Sequence, residues 1–409
     1  MTLWLLLATA FAVLPVQAKK CFCGSGSCAE TLLGTVCGLT EQASAGAGLL
    51  PSSMQVDAFY GVRYATIPRR FAPAEVANAT YPLPYQATQS APFCVGNSGV
   101  DKPHAGPTAK NHSHQGTIYS EDCLFLSIKR PTGVDAGDDL PVMVWIHGGG
   151  MMGGAGNMDF SRLAATQNII LVNVNYRLGP LGFLSSAELE AENGGHGTGG
   201  MNGQHDQITA LRWVKANIRG YGGDPAAVTL FGQSAGGLSV CTIVASPLAK
   251  GLLKHAIVQS GSCTGAWGPG SREYGFAATR ALMEHLNVST LAQLRDLPAA
   301  NLSWPASWPN TPAAEAWIPF KRYAGGPLAA GVEFPGYWVD GWVAPAHPSV
   351  SYAKGEIYVE ALMLGGTSSD GVESHSNDVC DTHPTASAVN CSKHITTNRW
   401  AHTVNNSKW

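Results

Sequence analysis

Residues 228–237 read VTLFGQSAGG. A β-branched, apolar run stops at Gly232, a single serine follows two residues on, and three small residues come after it. In a G-x-S-x-G corner a strand feeds straight into a helix. The tight turn forces the serine into a strained backbone conformation that lifts its hydroxyl above the sheet. Here VTLF precedes the corner and AGGLSVCTIVAS (235–246) follows it, the strand-then-helix order which that geometry needs. The chain carries 48 glycines, so the motif alone is weak and its setting has to carry the reading. On that setting Ser234 is a candidate nucleophile, with the free N–H groups of a helix N-terminus aimed at the place where an anionic intermediate forms.

Upstream, the apolar run LPVMV leads into WIHGGG at 145–150. Three successive glycines ending a strand present unobstructed N–H groups, and with the N–H of Ala235 they make a candidate oxyanion hole. Short, nearly continuous apolar runs recur at 140–146, 168–176, 228–232, 255–261 and 358–366. Such runs suit strands buried on both faces, as in a parallel sheet. Between them, Ile208, Leu211, Val214 and Ile218 fall at spacings of three and four within 206–218, which predicts a helix with Asp206 available as its cap. The stretches 235–246 and 272–286 read as two further helices. The alternation implies an α/β fold, its central, mostly parallel sheet flanked by helices. The Pro- and Trp-rich stretch 297–345 reads as an irregular insertion over the sheet's edge.

Charged residues make up 13% of the 409, against roughly 25% in soluble proteins, and the formal net charge is −3. That balance gives no electrostatic case for a nucleic-acid or anionic-membrane partner. Residues 1–18, MTLWLLLATAFAVLPVQA, read as a cleaved secretory signal rather than a retained anchor, and no later stretch is long and apolar enough to span a bilayer. Sequons at Asn78, Asn111, Asn287, Asn301, Asn390 and Asn405, with ten cysteines, fit a glycosylated, secreted protein in an oxidising compartment. Residues 19–53 form a Cys-rich N-terminal segment ending in a linker, ASAGAGLL. Its Cys21, Cys23 and Cys28 read as disulfide partners rather than zinc ligands, because their spacing matches no standard zinc pattern.

Six segments then stand together in order: AFYGVRYA (58–65), SEDCLFLSI (120–128), LPVMVWIHGGG (140–150), VNYRLGPLGFLSS (174–186), the run from Gly199 to Val240, and VDGWVAP (339–345). Together they resemble the type-B carboxylesterases, the cholinesterase-like branch of the α/β-hydrolase fold. The resemblance implies an α/β-hydrolase domain over 54–371. It further implies a serine carboxylic ester hydrolase that acts on small-molecule esters through an acyl-serine intermediate, with neither metal nor organic cofactor. Carried over by position, the nucleophile falls on Ser234 and the oxyanion donors on the N–H groups of Gly149, Gly150 and Ala235. The triad acid, a glutamate in the family, falls on Asp370 in GGTSSDG, and the family's first disulfide falls on Cys94 and Cys123.

The chain departs from the family in three places. Gln233 stands where the family usually has glutamate, removing a negative charge beside the serine. The loop from Cys94 to Cys123 holds no tryptophan to grip a quaternary ammonium, so a choline ester is not the expected substrate; its His104, His112 and His114 read as solvated loop residues rather than metal ligands. The family's histidine lies far downstream of the acid, beyond the last residue. Residues 372–409 are polar, lack helix or strand period, and read as a disordered or non-family tail. His375, His383, His394 and His402 there have none of the context of a triad base. One reading is an ester hydrolase whose histidine is absent from this chain, with feeble activity as written. The alternative is an inactive cholinesterase-like binding or adhesion module. Retention of Ser234, the acid position and the donor positions favours the hydrolase.

Overall fold

A computed structural model of the chain describes residues 27–44, 54–81, 83–96, 118–192, 200–263, 269–303, 334–366 and 403–405. Strands β1 (Cys28–Thr31) and β2 (Gly34–Cys37) form an antiparallel hairpin, to which Tyr85–Gln86 adds a third, short strand. The central sheet takes β3 (Leu39–Gln42), β4 (Gln55–Arg63), β5 (Phe125–Pro131), β6 (Leu140–Ile146), β7 (Ile170–Val174), β8 (Gly223–Gln233), β9 (His255–Gln259), β10 (Ala361–Gly365) and β11 (Thr403–Asn405). Their spatial order is β11-β10-β9-β8-β6-β7-β5-β4-β3. The block β7-β6-β8-β9-β10 is parallel throughout, while β5, β4 and β3 on one side and β11 on the other pair antiparallel. The apolar runs supply this block as expected: all five residues of β7 are buried, and β6 occupies the whole of LPVMVWI.

Helices α1 (Ser161–Gln167), α2 (Asn202–Asn217), α3 (Ala235–Val244) and α4 (Arg272–His285) accompany the sheet. Helix α4 is capped by Ser271, whose hydroxyl accepts the Tyr274 N–H at 3.2 Å. Asp206 is a correction to the sequence reading. Helix α2 begins at Asn202, and Asp206 lies inside it, fully buried, with its carboxylate paired to Arg177 at 2.7 Å. A tertiary ion pair has claimed a residue whose local pattern suggested a cap. The core gathers Trp213, Tyr221, Phe59, Tyr64 and Phe183, with Phe59 edge-on to Tyr221 at 5.0 Å. Burying such a side chain contributes about 1.5–3 kcal/mol.

Register decides where the chemistry is placed. Ile146 of β6 lies opposite Gly232 of β8, Gln233 opposite Gln259 of β9, and Gln259 opposite Gly365 of β10. Four strands therefore end level at their carboxyl edge, where open α/β sheets present ligand-binding loops.

Candidate active site

Ser234 leaves β8 with φ 56° and ψ −123°, a conformation an L-residue adopts only under constraint, at a cost of about 1–3 kcal/mol. The constraints are specific. Its N–H donates to Gln259 O at 2.9 Å, and its carbonyl accepts the Leu238 N–H at 2.9 Å to open α3. A methyl group placed on Gly236 would lie 2.1 Å from Ile146 O, so only glycine lets the helix start this close to the end of β6. Ser234 is half-buried, Gln233 beside it is exposed, and Ala235 is buried as the first residue of the helix. No side chain caps α3, and the first N–H groups of a helix have no intrahelical acceptor.

The glycine run turns sharply after β6. Gly149 and Gly150 have φ 111° and 64°, and the N–H groups of Met152 and Gly153 both donate to Gly149 O at 3.0 Å. Among the described residues neither the Gly149 nor the Gly150 N–H donates to a backbone carbonyl outside regular elements. A methyl on Gly148 would sit 3.1 Å from Ser234 Cβ and 2.8 Å from Gln233 O, so the turn passes directly against the serine corner. The structure thus brings Ser234, Ala235 and the 148–150 turn together at one edge of the sheet. It also joins Cys94 to Cys123 in a disulfide, as the resemblance implied. Asp370 lies outside the described residues, in the segment that follows Gly365 of β10.

Behind the glycines, His147 is buried and stacked on Tyr176 with ring centroids 4.3 Å apart. Its Nδ1 is 2.8 Å from Gly148 O; a carbonyl only accepts, so Nδ1 carries the proton. The Tyr176 hydroxyl donates to His147 O at 2.8 Å. Burial pushes the imidazole down to about 4, against the opposing pull of the Gly148 carbonyl, so the ring is neutral. The pattern of WIHGGG and VNYRLG carried no sign of this pair. Nor did it show Gln259 as the acceptor for Ser234, or the second disulfide, Cys241–Cys263.

A cavity of about 470 Å³ lies against the Cys94–Cys123 disulfide, lined among others by Phe71, Leu124, Leu178 and Leu181; neither Ser234 nor the glycine turn lines it. Among the described residues no group of three or more His, Cys, Asp or Glu is placed to hold a metal ion, and no helix is long and apolar enough to cross a membrane. The leader 1–18, Cys21, Cys23, His104, His112, His114, His375, His383, His394 and His402 lie outside the described residues.

The sequence model of the carboxylesterase family matches residues 27–408. Pyrethroid hydrolase Ces2a of Mus musculus is 51% identical over 143 residues, which are 35% of this chain and 24% of that protein. Liver carboxylesterase of Sus scrofa is 41% identical over 210 residues, 50% of this chain and 36% of that protein. Among solved structures, a carboxylesterase of Geobacillus stearothermophilus superposes with a TM-score of 0.63 at 28% identity, over 87% of this chain and 64% of its own. The chain therefore spans less than two thirds of each of these relatives.

Proposed function

This chain belongs to the carboxylesterase family, and from that premise we propose that Ser234 is the nucleophile of a carboxylic ester hydrolase acting on small-molecule esters. The observation that carries the reading is the backbone of Ser234: a strained non-glycine residue at a strand-to-helix corner, in contact with a turn of glycines.

In the proposed mechanism a histidine takes the proton from Ser234 Oγ, which attacks the ester carbonyl. The N–H groups of Gly149, Gly150 and Ala235 receive the oxyanion of the tetrahedral intermediate; losing one such donor typically lowers turnover about 10²- to 10³-fold. The intermediate collapses, the histidine returns its proton to the departing alcohol, and water then hydrolyses the acyl-serine. Asp370, in the segment after β10, orients the histidine and stabilises its charged form. The histidine itself is assigned to the family position downstream of the acid. Gln233 leaves the mouth of the site without the family's carboxylate, which favours uncharged esters over cationic ones. Residues 1–18 are proposed to direct export, with the sequons glycosylated on the way.

The test is incubation of the complete protein with a fluorophosphonate, followed by peptide mass mapping. The expected adduct is on Ser234, and Ser234→Ala abolishes it. An adduct elsewhere, or none on a folded protein, overturns the reading.

A further inference from the structure

Cys241 and Cys263 form a disulfide that neither the family segments nor the cysteine spacing announced. Cys241 sits in α3, seven residues beyond Ser234; Cys263 sits four beyond the end of β9, and both are buried. The bond thus ties the helix that the serine starts to the chain that leaves the neighbouring strand.

That exit segment is what holds the serine corner from its β9 side. Gln259 O accepts the Ser234 N–H at 2.9 Å. Gly261 packs so closely on α3 that a methyl there would lie 2.9 Å from the Gly237 carbonyl carbon. Ser260 between them has φ 51°, and its N–H donates to Gly365 O at 2.7 Å, the residue at which β10 ends. Two non-glycine residues with positive φ, Ser234 and Ser260, therefore follow directly on the paired Gln233 and Gln259 at the ends of β8 and β9. Such conformations persist only where the surroundings over-determine them.

We propose that the Cys241–Cys263 disulfide is a positioning device for the nucleophile. It holds the 259–263 exit against α3, so that Gln259 O keeps the Ser234 N–H and the hydroxyl stays aimed at the glycine turn. The inference rests on the reading of Ser234 as nucleophile, and its test separates the two.

The complete protein is compared with C241A/C263A and, as a control at another disulfide, C94A/C123A. Thermal midpoints are determined first, and ester turnover, fluorophosphonate inactivation and amide hydrogen exchange over 234–238 are then measured well below all three. Removing Cys241–Cys263 is expected to lower kcat and the inactivation rate about 10- to 100-fold, as for a small misplacement of a reacting atom. KM is expected to stay within about twofold, the mark of an interaction used in the transition state. Exchange over 234–238 rises, whereas C94A/C123A leaves that exchange near wild type. A fallen thermal midpoint with unchanged kcat and unchanged exchange makes the bond a plain structural staple and overturns the proposal. If the wild type is neither active nor labelled, the nucleophile reading fails, and the exchange comparison still decides whether the bond holds the corner. Should C241A/C263A not fold, C241V/C263V refills the lost volume and serves in its place.

Discussion

On the antiparallel side of the sheet, Lys129 of β5 is buried between Glu41 at 2.8 Å and Asp159 at 2.9 Å, and Arg130 faces Asp57 at 3.5 Å. At the border with the parallel block, Arg177 is locked to Asp206 and donates to Ala72 O. Around Ser234 the described contacts are of another kind: carbonyl oxygens, amide hydrogens and glycine carbons. The scaffold is fixed by full charges, and the corner by uncharged backbone at close range. A buried charge that loses its partner strongly destabilises the fold. Backbone dipoles held in place bind a developing anion without reorganising, which is what an oxyanion site requires. Stability and chemistry therefore depend on different residues, and substitutions can separate them.

The largest separation is expected at Ser234. Ser234→Gly removes the nucleophile, for a loss of about a millionfold in turnover. Stability is expected to rise by about 1 kcal/mol, the relieved strain less the freedom that glycine gives the unfolded chain. Urea unfolding of the variant beside wild type checks this. A fall in stability would mean that the corner stores no strain and that the two regions are not so different.

On the scaffold side, Asp206→Ala leaves a nearly buried guanidinium with a backbone carbonyl in place of its carboxylate. The expected loss is about 3–5 kcal/mol of unfolding free energy. In the fraction that remains folded, fluorophosphonate still reaches Ser234, because among the described residues no hydrogen bond of the corner includes Arg177 or Asp206. A loss below about 1 kcal/mol, the usual worth of a surface pair, would break the contrast from this end.

The sequence made the corner readable because both of its parts leave local traces. A strand buried on both faces reads as a continuous apolar run, and the close approach of Gly148 and Gly236 admits no other residue. β6 was legible to the residue. β8 was legible only from 228, since its start, GDPAA, is neither apolar nor alternating. What stayed hidden was tertiary. Asp206 looks the same in sequence whether it caps a helix or meets Arg177, 29 residues away in the chain. Ten cysteines fix no connectivity by themselves, so Cys241–Cys263 could not be read, whereas Cys94–Cys123 came only through the family likeness.

The smallest expected effect joins the two regions, since each keeps one neutral histidine. His147 supports the glycine turn, and its imidazole is pushed down to about 4 by burial. His205 stacks on Trp342 at 4.6 Å and is pushed down to about 3, first by burial and then by the charges of Arg212 and Arg177. In the unfolded chain both rings take up a proton near pH 6.5. Below that pH the unfolded state holds more protons than the folded one, so stability rises with pH. Their contribution is complete above about pH 6.5 and is lost as pH falls, down to about 4 for His147 and about 3 for His205. Asp159, held well below the usual carboxylate range against its burial by Lys129, adds its own loss only under about pH 4. Between pH 8 and 5 the slope of the urea midpoints also carries His347, which burial lowers, and Asp206 and Asp340, which burial raises with the opposite sign, so each ring is read as the difference between wild type and its own variant. His147→Gln should flatten part of the slope and, by loosening the glycine turn, lower turnover; His205→Gln should flatten another part and leave turnover alone. A slope that is the same in wild type and in both variants would show that neither ring is held neutral, and that the turn of glycines rests on something other than His147.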